Sequence, residues 1–320
     1  MYKHFVIFLL ILVSSAVNLN SAINDNAGTT SANFLKILSS ARSDGMASAF
    51  IAVADDVNSL YFNPAGLTGV KRKEIQTTYS AWFENSSFGL LDYGMPLAKN
   101  NCLGIGLGYF SYGEMAKTSL IDAAGIPVQD GTFNAWDFNV LLGYAQSLYR
   151  DNDTKWLYGL AYGINAKIIT RSIDSSTIAT AAIDIGVLYT PLKFLNIGFA
   201  VQNIGPGLKY ENYSDNLPLN IRLGLAQTVI FNPIHKLICA IDISQPVDNN
   251  TRFLAGVEYA YKNILFFRTG LRYNYDTNWF TTGIGVRYGH YRLDYAYLPF
   301  GPLGNAHKLT LVFTGFPRSR

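Results

Sequence analysis

Side chains able to do bond chemistry are few and scattered. Past residue 22 the histidines are His235, His290 and His307, without the spacing of a metal motif. Two cysteines, Cys102 and Cys239, exclude a disulfide scaffold and a cysteine-rich zinc domain. No serine nucleophile elbow and no cysteine–histidine pairing is present. Gly104-Ile105-Gly106-Leu107-Gly108 has a phosphate-loop look but lacks the GxxxxGK[ST] pattern, so it reads as the glycine face of a strand. The expectation is a protein that is not an enzyme and needs neither metal nor cofactor.

Charge is the more informative signal. Asp137, Asp184, Arg222, Asp242, Arg252, Glu258, Arg268, Arg272, Arg287, Arg292 and Asp294 all sit opposite apolar neighbours in alternating segments. One face of those segments therefore gathers both signs. Enclosed charges are costly unless paired, so a neutralising network that stiffens a wall is one reading. The other is an arginine cluster that orients a ligand carboxylate, with Arg268 and Arg272 at its centre, because the guanidinium fork matches carboxylate geometry.

The elements that position these charges repeat every second residue. Ile221, Leu223 and Leu225 alternate with Arg222, Gly224 and Ala226. Phe253, Ala255, Val257 and Tyr259 alternate with Leu254, Gly256 and Glu258, and Tyr291, Leu293 and Tyr295 with Arg292 and Asp294. Period two predicts strands. Fourteen are expected, near 73–83, 87–97, 102–112, 133–147, 156–169, 178–190, 195–202, 219–230, 236–244, 252–261, 264–274, 279–288, 291–298 and 307–314. The second is the weakest, because Leu90 and Leu91 break its alternation. Turn signals stand at Lys99-Asn100-Asn101, Asp151-Asn152-Asp153, Asp248-Asn249-Asn250 and Asn274 to Asn278. Segments 113–132 and 203–218 read as extracellular loops.

Strands of this length suit a tilted membrane crossing of about 9–11 residues. Trp82, Trp136, Trp156, Trp279, Tyr288 and Tyr297 recur near strand ends, as an interfacial belt requires. In lipid every backbone polar group must be paired, so the strands must close. The fold class is thus all-β: a closed transmembrane antiparallel β-barrel over 71–314, in the outer membrane of a diderm bacterium. Cys102 falls on the third strand, and Cys239 on the ninth, facing lipid.

Composition agrees. The 320 residues are 49% hydrophobic and 14% aromatic, with only 15% charged. A soluble domain carries about 25% charged residues. The net charge of +3, spread over the chain, does not make a nucleic-acid binder. At the start, Lys3 precedes nine apolar residues, Phe5 to Val13, and small residues follow. This is a signal peptide over 1–22, cleaved after Ala16 or Ala22.

Residues 23–70 do not alternate. Small residues dominate, short helical stretches are expected, and Asn63-Pro64-Ala65-Gly66 marks a turn. The segment is either a periplasmic extension or a plug folded back into the lumen, and small residues favour the plug. A short tail, 315–320, follows the last strand.

At this point the chain resembles a known family. Ala54-Asp55-Asp56, Asn63-Pro64-Ala65-Gly66-Leu67, Val201-Gln202-Asn203-Ile204-Gly205-Pro206, Asp242 to Asp248 and Leu293-Asp294-Tyr295-Ala296-Tyr297 resemble the PorV/PorQ family, itself related to FadL-type fatty acid transporters. The resemblance implies a fourteen-stranded outer-membrane barrel with an N-terminal hatch. It implies two roles. One is passive binding and transport of hydrophobic small molecules such as long-chain fatty acids. In that role Asn63, Pro64, Ala65 and Gly66 form part of the hatch, with Asp55 and Asp56 at its hinge. The other is type IX secretion, in which loops hold an exported protein. The barrel assembly machinery is a further expected partner. Such barrels usually end on an aromatic residue; here Phe313 closes the last strand and Phe316 follows. An apolar, ligand-sized lumen would favour transport, and a wide mouth blocked below would favour capture.

Overall fold

The computed structural model describes residues 24–315 except 99, 119, 123, 149–158 and 211–212. The expected signal peptide with Ala16 and Ala22, Lys99, the expected turn at 151–153, Trp156, and the tail from Phe316 lie outside the described residues.

Alternating side chains build the wall. Its first half consists of β1 (Glu74–Ala81), β2 (Ser87–Ala98), β3 (Asn101–Lys117), β6 (Gly131–Leu148), β7 (Leu160–Ile173), β8 (Ser176–Leu192) and β9 (Leu195–Ile204). Its second half consists of β12 (Asn220–Ile230), β13 (His235–Pro246), β14 (Arg252–Tyr261), β15 (Leu265–Tyr273), β16 (Phe280–Tyr288), β17 (Tyr291–Pro299) and β18 (Asn305–Thr314). These fourteen strands form one closed antiparallel barrel, in which β1 pairs with β18 from Glu74–Thr314 to Ala81–His307. No described helix is long and apolar enough to cross a membrane. Outward positions carry exposed apolar side chains such as Ile164, Ile168, Leu223, Leu225, Leu309 and Leu311. In water that surface would be unfavourable; in lipid it is the matching face.

The rims differ. Connections 193–194, 231–234, 262–264 and 289–290 are tight, and this rim also holds the start of β1 and the end of β18. Lys262 and Asn263 both take positive φ of 53°, the backbone of a primed hairpin turn. The opposite rim carries two long connections. One contains the small hairpin β4 (Leu120–Ile121) with β5 (Pro127–Val128), the other β10 (Leu208–Tyr210) with β11 (Tyr213–Asp215). Short turns mark the periplasmic side and long loops the extracellular side. The second rim is therefore called the mouth.

Three expectations change. Much of 113–132 is strand, because β3 and β6 run on past the membrane-length core of their pairing, around a bulge between Ser111 and Glu114. Leu90 does not break β2: it points inward and is buried, while Leu91 points outward and is exposed. Both are apolar because the barrel interior is itself a packed core there. Trp82 does not join an outer belt. It turns into the mouth, its ring 5.0 Å from Phe300 and 6.0 Å from Phe88.

That core is formed by the N-terminal segment. Residues 30–70 include α1 (Ala41–Gly45) and three 3-10 turns, Asn33–Lys36, Val57–Tyr61 and Pro64–Gly69. Ser40 caps α1 by accepting from the Ser43 amide, and Asn63 caps its turn at Pro64 by accepting from Ala65. Phe50, Ile51, Leu60 and Leu67 are fully buried against inward-facing Leu141, Ile169 and Leu254. Close approach demands inward glycines. A Cβ on Gly270 would meet the Ala47 amide nitrogen at 2.5 Å, and one on Gly143 would meet Leu60 at 2.5 Å. The run Gly104, Gly106 and Gly108 faces the same segment, through Leu60, Tyr61 and Leu38.

Candidate functional site: the barrel lumen and its mouth

The lower lumen holds one continuous charge network. Arg42 of α1 donates to both carboxylate oxygens of Glu258 at 2.9 and 3.1 Å. It also reaches Asp55 at 2.5 Å and Asp56 at 2.8 Å. On the wall, Arg268 donates to Glu258 at 2.6 Å and to Asp294 at 2.8 Å. Arg292 closes the chain to Asp294 at 2.7 Å and Asp56 at 3.2 Å. Burial pushes the Asp56 carboxyl up, but Arg42 and Arg292 outweigh it and hold it below the ordinary range. Arg268 is thus enclosed among carboxylates of its own chain rather than open to a ligand.

Other contacts fix the segment along the wall. The Asn63 amide donates to the Ile51 carbonyl at 3.0 Å and to the Val187 carbonyl of β8 at 2.9 Å. Pro64 and Ala65 are buried against Gly163, and Gly66 packs on Ala54. Asp242 accepts from the Phe50 and Ile51 amides at 2.8 and 3.0 Å and from Arg222 at 3.1 Å. Asp184 pairs with Lys167 at 2.8 Å, and Asp137 pairs with Arg171 at 2.6 Å. Lys308, fully buried, pairs with Asp44, whose carboxyl is pushed up by burial but pulled lower still by Lys308 and Arg272. Arg171 and Lys308 escaped the sequence reading although inward parity marks both. Arg42 and Asp44 carry no such signal, since their segment has no period.

Near the mouth the packing opens. A cavity of about 210 Å³ lies between residues 35–39, the mouth loops and strands β12 to β15. Arg222, Arg252 and Arg272 line it, with Tyr275, Trp82 and Phe300 among its upper wall. Arg252 lies 4.4 Å over the Tyr275 ring. Arg287 stands apart: it is exposed near the periplasmic rim, its guanidinium 5.3 Å over Phe266.

The start of the described chain crosses this mouth as a strap. Asn24 donates to Asn250 at 3.1 Å, Thr30 to Asp248 at 2.6 Å, and the Ser31 amide to the Asn216 carbonyl at 2.9 Å. Lys36 forms an ion pair with the same Asp248. Two mouth loops are thereby tied to the N-terminal segment.

Cys102 points inward and is buried, Cys239 lies on the outer face, and both are free thiols. His235 and His307 bond Tyr259 and Tyr295 hydroxyls at 2.6 and 2.7 Å.

The family model "Type IX secretion system protein PorV" matches residues 20–249. The chain belongs to the PorV family. This PorV-family barrel also shares its fold with solved outer-membrane channels. The TodX monoaromatic hydrocarbon channel lacking S2 and S3 is 13% identical, with a TM-score of 0.54, covering 80% of this chain and 93% of that one. A Pseudomonas aeruginosa FadL homologue is 11% identical, with a TM-score of 0.53 and coverage of 86% and 98%. The CymD monoaromatic hydrocarbon channel is 10% identical, with a TM-score of 0.56 and coverage of 87% and 97%. No curated protein matches the sequence. Family and fold together place the PorV-family chain in the outer membrane as an integral β-barrel.

Proposed function

We propose that this barrel serves type IX secretion by holding exported proteins at its extracellular mouth, with residues 23–70 acting as a fixed plug. The observation that carries this reading is the packed lower lumen. There the segment meets inward glycines at contact distance and Arg42 is bound to Glu258 on the wall. A solute path would need that core to be dismantled. Asp55 and Asp56 act as anchors for Arg42, and Asn63, Pro64, Ala65 and Gly66 as the wedge against β7 and β8. Neither role requires bond chemistry. Phe313, packed 5.2 Å from Tyr291 at the end of the closing strand, supports recognition by the barrel assembly machinery.

A second reading keeps passive passage of hydrophobic molecules such as long-chain fatty acids. It is supported by the fold shared with hydrocarbon channels and by the cavity. That cavity is smaller than the roughly 300–1,000 Å³ of typical ligand pockets. It is also lined by three arginines. Deleting the gene in its own bacterium separates the two. Retention of type IX export substrates inside the cell, with unchanged fatty acid uptake, supports secretion. Normal export with reduced uptake overturns it.

A further inference from the structure

The charges around the mouth cavity do not balance. Lys36, Arg222, Arg252 and Arg272 line it, and Lys308 reaches Asp44 from behind. The carboxylates paired with these five cations, among the described residues, are three: Asp44, Asp242 and Asp248. Two positive charges are in excess. Arg252 has no carboxylate partner among the described residues; its guanidinium rests on Tyr275. The Nε atoms of Arg222 and Arg252 are buried without a hydrogen-bond partner, and the Arg222 side chain is only 7% exposed. Enclosed cations and orphaned donors are unfavourable unless something answers them.

We propose that this cavity binds a small dianion, either a phosphate monoester or a dicarboxylate. Guanidinium groups grip such oxyanions through paired, charge-assisted hydrogen bonds. The three arginines are held ready for it. The Tyr275 ring meets both Arg252 and Arg272, its centroid 4.4 and 5.3 Å from their guanidinium carbons. Arg222 and Arg272 are both pinned on Ser48, through its carbonyl at 2.7 Å and its hydroxyl at 3.1 Å. A dianion neutralises the excess, whereas a single carboxylate leaves one charge over. Trp82, Leu298 and Phe300 leave an apolar upper wall for a short organic body. The volume does not suit a long alkyl chain. This site belongs to the barrel alone and does not depend on the secretory role.

Isothermal titration of the folded barrel in detergent tests it, with inorganic phosphate, succinate and the singly charged octanoate as probes. One dianion binds per barrel, octanoate binds at least about tenfold more weakly, and Arg252→Gln weakens the dianion by about tenfold or more. Preference for phosphate identifies a phosphate group; preference for succinate identifies a dicarboxylate. Arg252 holds no ion pair among the described residues, so the variant retains the fold, checked by heat-dependent gel mobility. Should it not fold, Thr277→Asp at the mouth places a carboxylate beside the arginines and abolishes dianion binding. Absence of dianion binding at millimolar concentration, tighter binding of octanoate, or unchanged affinity in a folded variant overturns the proposal.

Discussion

Arg42 and Glu258 join the inner segment to the barrel wall through two hydrogen bonds, 2.9 and 3.1 Å long, with both side chains almost wholly enclosed. The pair is a junction as well as a contact. Arg42 carries on to Asp55 and Asp56, and Glu258 to Arg268. Removing either partner takes one pairing from an enclosed charge that keeps another, Arg268 for Glu258 and Asp55 with Asp56 for Arg42. The cost therefore stays below the about 3–5 kcal/mol of a buried charge left with no partner. Arg42→Met and Glu258→Gln are each expected to lower the temperature at which the barrel loses its compact gel mobility. They are also expected to open the segment around residues 41–56 to protease. A protease pattern identical to wild type would contradict this.

Glycine contacts give a second prediction. Gly270→Ala drives a methyl group into the backbone at Met46 and Ala47, which cannot move aside as a flexible side chain would. Overpacking of this kind costs about 1–3 kcal/mol. Gly89→Ala is the matched control, because its nearest neighbour would be the Thr78 carbonyl at 3.9 Å. Thermal stability should fall in the first variant and hold in the second.

The strap responds to acid. Burial pushes the Asp248 carboxyl up, but hydrogen bonds from Lys36 and Thr30 and the Lys36 charge outweigh it, so it lies below the ordinary range. A depressed folded value means that the contribution is full above the unfolded carboxylate pKa of about 3.9 and fades as pH falls through the lower value. Hydrogen exchange over residues 24–36, corrected for intrinsic rates, should be level from pH 7 to 5 and faster below about pH 4. Asp248→Asn should loosen the strap at pH 7 by no more than about 1 kcal/mol, since Lys36 is partly solvated.

Placement of the strap also predicts topology. Residues 25–29 are exposed at the mouth. An epitope inserted between Gly28 and Thr29 should be labelled by antibody on intact cells. Labelling only after permeabilisation would invert the assignment of the two rims.

The wall was legible in the sequence because each strand carries its own record. In β14, Glu258 is polar between Val257 and Tyr259, and that local contrast alone turns it inward. The same parity turns Asp242, Asp294 and Arg268 inward, and all three are buried. It could not tell which arginine is enclosed among carboxylates and which borders space, since that depends on partners brought from far along the chain. Arg268 and Arg272 are four residues apart on one face, yet the first is locked to Glu258 and Asp294 while the second lines the cavity. Leu90 misled for a related reason. Its apolar inward face is explained only by the segment it packs on. Trp82 misled because an aromatic residue at a strand end suits either lipid or a packed mouth.

The seam between β1 and β18 is where the first and last strands of the wall meet, and the inner segment docks there too. Thr310 of β18 accepts from the Ala41 amide and bonds Thr78 of β1, both at 2.8 Å. Glu74, in the same first strand, accepts from the Val57 amide at 2.9 Å. Residues of the pair that closes the cylinder thus also hold part of its contents. Loosening this seam is therefore expected to free the inner segment as well as to part the wall.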